Sequence, residues 1–222
     1  MNKKGFNRLY KIALVAMLAL CPASIFANDA IGMATGNLTT ADVAGFGVGY
    51  VGGHVGILDD ATVIFGSLTY GLSDYTEGRV KIGFSDLDGS DTDPKLILGV
   101  DFKYEFMDYY DKNGKQPMDM AFGGFLEYVD YGAISVLELG GNYIASIPYR
   151  FKSGRRLIPY GRVNLRLESI SVDIPGGNND SDFKFGLDLG VKYELTTEMN
   201  LYGEFQFDGF SGLFLGLDVR MF

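Results

Sequence analysis

The sequence predicts an all-β fold: an antiparallel up-and-down transmembrane β-barrel of about ten strands, with eight as the alternative. Three observations carry that prediction. The first is a strict alternation in which Phe183, Phe185, Leu187, Leu189, Val191, Tyr193 and Leu195 interleave with Lys184, Gly186, Asp188, Gly190, Lys192 and Glu194. A period of two means that one face of a strand meets an apolar medium and the other a polar one. The run is more than twice the roughly 5–6 residues usual in soluble sheets, and a membrane-crossing strand needs roughly 9–11 tilted residues. The second observation is that such runs recur along the chain. The third is that the outward aromatic residues fall into two groups, one at each end of the strands, as expected where rings sit at membrane–water interfaces.

Residues 1–27 read as a separate, cleaved secretory signal. Lys3, Lys4, Arg8 and Lys11 form a positive start, Ile12 to Leu20 a short apolar stretch, and Ala27 a small residue at the cut before Asn28. The stretch is too short for a membrane helix, and no later segment approaches 18 consecutive apolar residues. The 19 basic residues of the whole chain fall to 15 without the signal, against 28 acidic ones, a net charge of about −13. Cys21 is the single cysteine and lies in the signal, so the mature chain has no disulfide. No basic cluster exceeds Arg155-Arg156, which argues against nucleic acid as a partner.

A leader at residues 28–42, on the periplasmic side, precedes the barrel proper at 43–222. The first strand, about 43–53, sets Ala44, Phe46, Val48 and Tyr50 outward against glycines 45, 47 and 49. The second (about 62–72) directs Ile64, Leu68, Tyr70 and Leu72 outward, and the third (about 78–86) Val80, Ile82 and Phe84. The fourth (about 95–106) runs Leu96 to Phe106 outward on even positions. The fifth (about 118–129) shows Met120, Phe122, Leu126 and Tyr128, and the sixth is drawn as one long strand over 134–151. The seventh (about 157–172) sets Val163, Leu165 and Leu167 outward, then changes phase at Ile170 and Val172, which predicts a bulge or emergence from the bilayer. The alternation described first supplies the eighth. Leu201, Phe205 and Phe207 mark the ninth, and Leu213, Leu215, Leu217, Val219 and Met221 the tenth. With both termini in the periplasm, Tyr70, Tyr104, Phe106, Tyr149, Phe151 and Tyr193 form one aromatic ring, and Tyr50, Phe84, Tyr128, Phe183 and Phe207 the outer one.

The inward face carries both signs of charge: Arg79, Lys81, Asp101, Lys103, Glu105, Glu127, Glu138, Arg150, Arg162, Arg166, Glu168, Lys184, Asp188, Lys192, Glu194, Glu204, Asp218 and Arg220. Mixed charges can pair, so the first expectation is a largely closed lumen cross-linked by ion pairs. Inward glycines, among them 83, 99, 123, 186, 190 and 216, leave room that keeps a narrow channel as the alternative. The face assignment makes a charge at Leu187 costly, on the order of 2–4 kcal/mol, and loss of the Asp188 charge much cheaper.

No catalytic, cofactor or metal site is assigned. His54 is the only histidine, with no Asp-x-His and no serine two residues on; Asp59 and Asp60 are its nearest acidic neighbours in sequence. A nucleophile needs a base oriented by a third group, so His54 reads as a polar rim residue, with a lipid-modifying envelope enzyme as the least favoured reading. Asp86, Asp88, Asp91 and Asp93 cluster in one external loop without EF-hand spacing, and Asp173, Asp180 and Asp182 flank a glycine- and asparagine-rich loop; both are expected to be solvated.

Three features, the signal segment, the Leu201-Tyr202-Gly203-Glu204-Phe205 stretch and a terminal strand ending in Phe222, give the chain a resemblance to the small outer-membrane β-barrel superfamily, the OmpA-like single-domain barrels of Gram-negative bacteria. That resemblance implies a porin-like barrel fold in the bacterial outer membrane, contact with its lipid and lipopolysaccharide, and recognition of the terminal phenylalanine by the barrel-insertion machinery. Phe222 departs from the family pattern: Arg220, Asp218 and Gly216 occupy the places two, four and six before it, so a bulge or an inward-turned ring is expected. A closed barrel needs no partner for its edges, which predicts a monomer. A soluble lipocalin-like barrel would invert the two faces; strand length, aromatic rings and the terminal phenylalanine oppose it.

Overall fold

A computed structural model describes residues 38–59, 61–87, 94–108, 118–130, 134–172, 179–207 and 211–222. The described residues contain no helix. They form β1 (Gly49–Leu58), β2 (Ala61–Ser73), β3 (Thr76–Leu87), β4 (Lys95–Met107), β5 (Asp119–Asp130) and β6 (Ile134–Ser146). These are followed by the two-residue β7 (Tyr149–Arg150), β8 (Arg156–Val172), β9 (Asp180–Glu194), β10 (Met199–Phe207) and β11 (Gly212–Arg220). Apart from β6 and β7, neighbours in sequence pair antiparallel; β1 pairs with β11 and β6 with β8, so ten strands close into a barrel and β7 is an extra strand at its rim, paired with β8. The terminal end is where β1 starts and β11 finishes; the loop end lies opposite.

The outward face follows the expected alternation from β2 onward. Ile64, Ile82, Leu139 and Leu165 are each more than half exposed, while the residues between them are buried. At the terminal end Tyr70, Tyr104, Phe106, Tyr149, Phe151 and Tyr193 gather with Phe122 and Tyr143, several in ring contact: Phe106 stacks on Phe122 at 4.7 Å, and Phe151 meets Tyr193 edge-on at 6.5 Å. Phe84, Tyr128, Phe183 and Phe207 lie toward the loop end of their strands.

Three details differ from the sequence-based expectation. The first strand begins at Gly49, because Gly45 and Gly47 take positive φ (+80° and +76°) and turn the chain before it enters the sheet. That turn packs on Gly71, whose amide donates to Val48 O at 2.9 Å and where a Cβ would collide with the Gly45 carbonyl. The phase of β1 is thereby reset: Val51, Gly53 and Ile57 face out, and Tyr50 lines the lumen at the terminal end instead of joining an outer aromatic ring. Second, the long strand expected over 134–151 breaks after Ser146. Pro148 has no amide to give, and Pro159 stands across from the break, so Ile147 N alone reaches Pro159 O.

Third, no phase change occurs at Ile170. Pairing of β8 with β6 and β9 runs without a register shift, and Ile170 points inward into an apolar cluster. Phe222 follows the bulge alternative: Met221 N donates to Gly49 O at 2.9 Å and Gly49 N to Phe222 O at 3.0 Å, so two residues face one and the ring turns outward. The residue lies beyond the last strand residue, is 60% exposed, fills the space beside Gly49 and rests 6.0 Å from the outward Tyr70 ring. The described part of the expected leader, residues 38–42, is drawn into the barrel mouth: Leu38, Thr40 and Ala41 are buried to 1% exposure or less.

Position along the strands sets the cost of an outward charge. Leu165→Arg, at the middle of β8, is expected to destabilise the folded barrel by about 2–4 kcal/mol in denaturant titrations in lipid vesicles, and Thr62→Arg, at the loop end of β2, by about 0–1 kcal/mol. Equal costs would refute the assignment of a lipid-facing band.

Candidate functional site

Function in a barrel is lodged in its lumen and mouths, and the lumen has three storeys. The loop-end storey is apolar. Leu58, Ala61, Val63, Phe65, Ile97, Val129, Val136 and Phe214 all point inward near the loop ends of their strands and form one cluster with Leu38, Tyr160 and Tyr202, with Ile170 packed against it. This layer was not anticipated. Its signal is a stretch where both strand faces are apolar, as in Val63-Ile64-Phe65 or Leu96-Ile97-Leu98.

The middle storey is ionic. Arg79 and Asp101, register partners on β3 and β4, join through Nε at 2.7 Å, and Lys81 stands 3.3 Å from both Asp101 and Glu127. Glu127, Glu138 and Glu168 are register partners in a row across β5, β6 and β8. Like charges directly opposite one another repel. Arg166 relieves the row, with Nε on Glu138 at 2.9 Å, Nη2 toward Glu168 at 3.3 Å and Nη1 on Asn164 at 3.1 Å. Arg162 lies 3.4 Å from Asp188, its register partner, with its guanidinium over the Phe125 ring. Both members of that pair are 1% exposed, so Asp188→Asn, expected from the sequence to be cheap, is expected from the structure to weaken a buried ion pair and to cost more.

Side chains fill the space beside four of the inward glycines. The Tyr160 ring occupies the place of a side chain at Gly190, the Phe65 side chain that at Gly83, the Lys81 stem that at Gly99 and the His54 ring that at Gly216. Tyr160 then donates its hydroxyl to Glu204 at 2.8 Å, and the same carboxylate accepts the Leu38 amide at 2.9 Å.

The terminal-end storey is partly filled by a strap, residues 38–48. Lys103 Nζ donates to Thr40 O at 2.6 Å, Asp42 O at 2.9 Å and Thr39 Oγ1 at 3.0 Å, and pairs with Glu77 at 2.8 Å. Glu77 in turn accepts the Ala44 amide at 2.9 Å. Beside the strap remains a cavity of about 650 Å³, lined by polar and charged groups that include Tyr50, Arg79, Arg156, Lys192, Glu194 and Asp218.

His54 faces inward in mid-strand and is 5% exposed, so it is not a rim residue. Its ring stacks on Phe65 at 4.7 Å; Nε2 meets Ser67 Oγ at 2.8 Å and Asp218 Oδ1 at 3.5 Å, while Nδ1 is buried without a hydrogen-bond partner. A relay places the serine and the acid on opposite ring nitrogens, whereas Ser67 and Asp218 share one. Asp59 lies five extended residues further along, roughly 16 Å at strand rise, and is exposed at the loop end; Asp60 falls outside the described residues. Of the two acidic loop clusters, Asp86, Asp180 and Asp182 are exposed, and Asp88, Asp91, Asp93 and Asp173 lie outside the described residues.

The chain is similar, at low sequence identity, to several solved outer-membrane proteins. The N-terminal β-barrel domain of Pseudomonas aeruginosa OprF is 12% identical over 80% of this chain and 99% of that one, with a TM-score of 0.37. KdgM porin is 8% identical over 78% of this chain and 99% of its own, with a TM-score of 0.41. An outer membrane channel from Pseudomonas putida F1 is 12% identical over 84% and 100% of the two chains, with a TM-score of 0.40. No curated protein matches the sequence at a significant level. The family of outer membrane protein beta-barrel domains matches residues 13–214, nearly the whole sequence, and the chain belongs to that family, in the bacterial outer membrane.

Proposed function

We propose that this outer-membrane barrel is non-catalytic, with a closed, charge-networked lumen and a structural or surface-interaction role. The observation that carries the reading is the dryness of the inward side chains above the terminal-end cavity. Lys81, Arg162 and Arg166 are 1% exposed, and Ile97 and Phe214 are fully buried. A path wide enough for hydrated ions would leave such side chains in contact with water, and an apolar layer is itself a barrier to ions. The arrangement at His54 gives a base no separate orienting acid, which supports a non-enzymatic role.

In this reading the terminal end faces the periplasm, residues 1–27 are removed on export, and the Phe222 ring beside Tyr70 is offered to the insertion machinery from the outward face. The continuous ring of paired strands supports a monomer surrounded by lipid and lipopolysaccharide. A narrow channel is the second reading, favoured by the cavity of about 650 Å³ at the terminal mouth.

Two measurements test the proposal. In planar bilayers the inserted chain is expected to give no conductance steps; stable steps that change when Lys192, which lines the cavity, is neutralised would make it a pore. Arg166→Met is expected to cost about 3–5 kcal/mol in denaturant titrations, because it leaves Glu138 and Glu168 facing each other in a dry interior. Adding Glu138→Gln and Glu168→Gln to the same chain should recover most of that loss. A neutral effect of Arg166→Met would mean that the network is wet and the lumen open.

A further inference from the structure

Near the terminal end, β4 and β5 bring three carboxylates together outside the network described above. The register between these strands shifts between Glu105 and Met107: Glu105 pairs with Ala121 and Met107 with Met120, so Phe106 is an extra residue on β4. A bulge of this kind reverses the phase of the strand beyond it. Without it Asp108 would point away from the lumen. With it Asp108 comes round to the side of Glu105 and Asp119, and one carboxylate oxygen from each of the three lies within 4.8 Å of the others.

Glu105 supplies the independent sign of a ligand. The residue is 4% exposed, its Oε2 accepts the Val43 amide of the strap at 3.2 Å, and its Oε1 is buried with no hydrogen-bond partner. Such an oxygen is costly to bury unless something electropositive meets it. Lys103, two residues earlier on β4, is spent on Glu77 and on the strap's Thr39, Thr40 and Asp42. Two oxygens bound to one calcium ion at 2.3–2.6 Å can be no more than about 4.6–5.2 Å apart, so three oxygens within 4.8 Å of one another can share one ion.

We propose that Glu105, Asp108 and Asp119 hold a divalent cation, Ca²⁺ in preference to Mg²⁺. Glu105 and Asp119 are buried and Asp108 is partly exposed, so waters can reach the ion from the Asp108 side and complete six to eight irregular oxygen contacts, whereas Mg²⁺ demands a near-ideal octahedron. The cation would also brace the strap, since Val43 sits on Glu105 and Ala41 packs against Ala121 and Ile144 beside the cluster and donates its amide to Ser146. The inference does not depend on whether the lumen conducts.

The test is calorimetric titration of CaCl₂, and separately MgCl₂, into the folded, chelator-treated chain in zwitterionic detergent free of lipopolysaccharide. One Ca²⁺ per chain is expected, bound at least tenfold more weakly after Glu105→Gln or Asp119→Asn, together with a Ca²⁺-dependent rise in thermal midpoint that the variants lose. Should those variants not fold, Asp108→Asn at the half-exposed position is expected to weaken binding as well. The acidic external loop is the competing source, so a chain carrying Asp88→Asn, Asp91→Asn and Asp93→Asn is titrated alongside. Binding that disappears in the loop variant and survives in the Glu105 or Asp108 variant overturns the proposal, as does the absence of any Ca²⁺ binding.

Discussion

Closure of the backbone ladder is the constraint on which everything else in this structure depends. In hydrocarbon no water is available to an open edge, so every strand must find two partners. Here the β1–β11 and β6–β8 pairings complete the ring at ten strands. Once the ring is closed its cross-section is fixed, and the chain can only decide how to fill it. Eight-stranded barrels are just filled by their own side chains, and two further strands enlarge the space. Three devices take up the difference: large side chains that reach across facing glycines, an apolar layer at the loop end, and the strap at the terminal mouth.

The ionic storey shows how such a space tolerates charge. Each buried ion costs several kcal/mol to dehydrate, and that cost is offset only where geometry lets opposite charges and hydrogen bonds converge. Cross-strand register does part of this, setting Arg79 opposite Asp101 and Arg162 opposite Asp188. It also creates the problem of three glutamates in a row, which register alone cannot solve. Arg166 reaches along the barrel, and its planar fork serves Glu138, Glu168 and Asn164 at once, a reach that a lysine's point charge would not reproduce. The network therefore ties β6 to β8, the two strands whose pairing closes the ring.

Much of this was legible in the residues because lipid imposes a single rule on one face of every strand. Leu165 or Ile82 has no alternative environment, so period two survives along nearly every strand. The alternation failed where glycine carried it. Gly45, Gly47 and Gly49 look like the inward face of a strand opposite Ala44, Phe46 and Val48, yet two of them adopt left-handed backbone and turn the chain; Tyr50 was misplaced for that reason. It failed again where both faces are apolar. Around Ile97 and Val63 periodicity gives no hint that one of two hydrophobic faces lines the lumen. The pairing partners of the charged residues, the path of the strap and the bulge at Phe106 arise from tertiary contacts, and nothing periodic announces them.

The two ends of the lumen are built differently, and the difference bears on which end could ever yield. At the loop end the fill belongs to the strands themselves: Ile97, Val129, Val136 and Phe214 are anchored by the same backbone ladder that forms the wall. Opening that layer would require many side chains to change rotamer in a close-packed interior. At the terminal end the fill is a single segment of chain. It is held by side-chain donors and acceptors, chiefly Lys103, Glu77, Glu105 and Glu204, next to a cavity already lined with charge. Movement of the strap would enlarge the terminal mouth and would also withdraw Leu38 from the apolar cluster it is packed in.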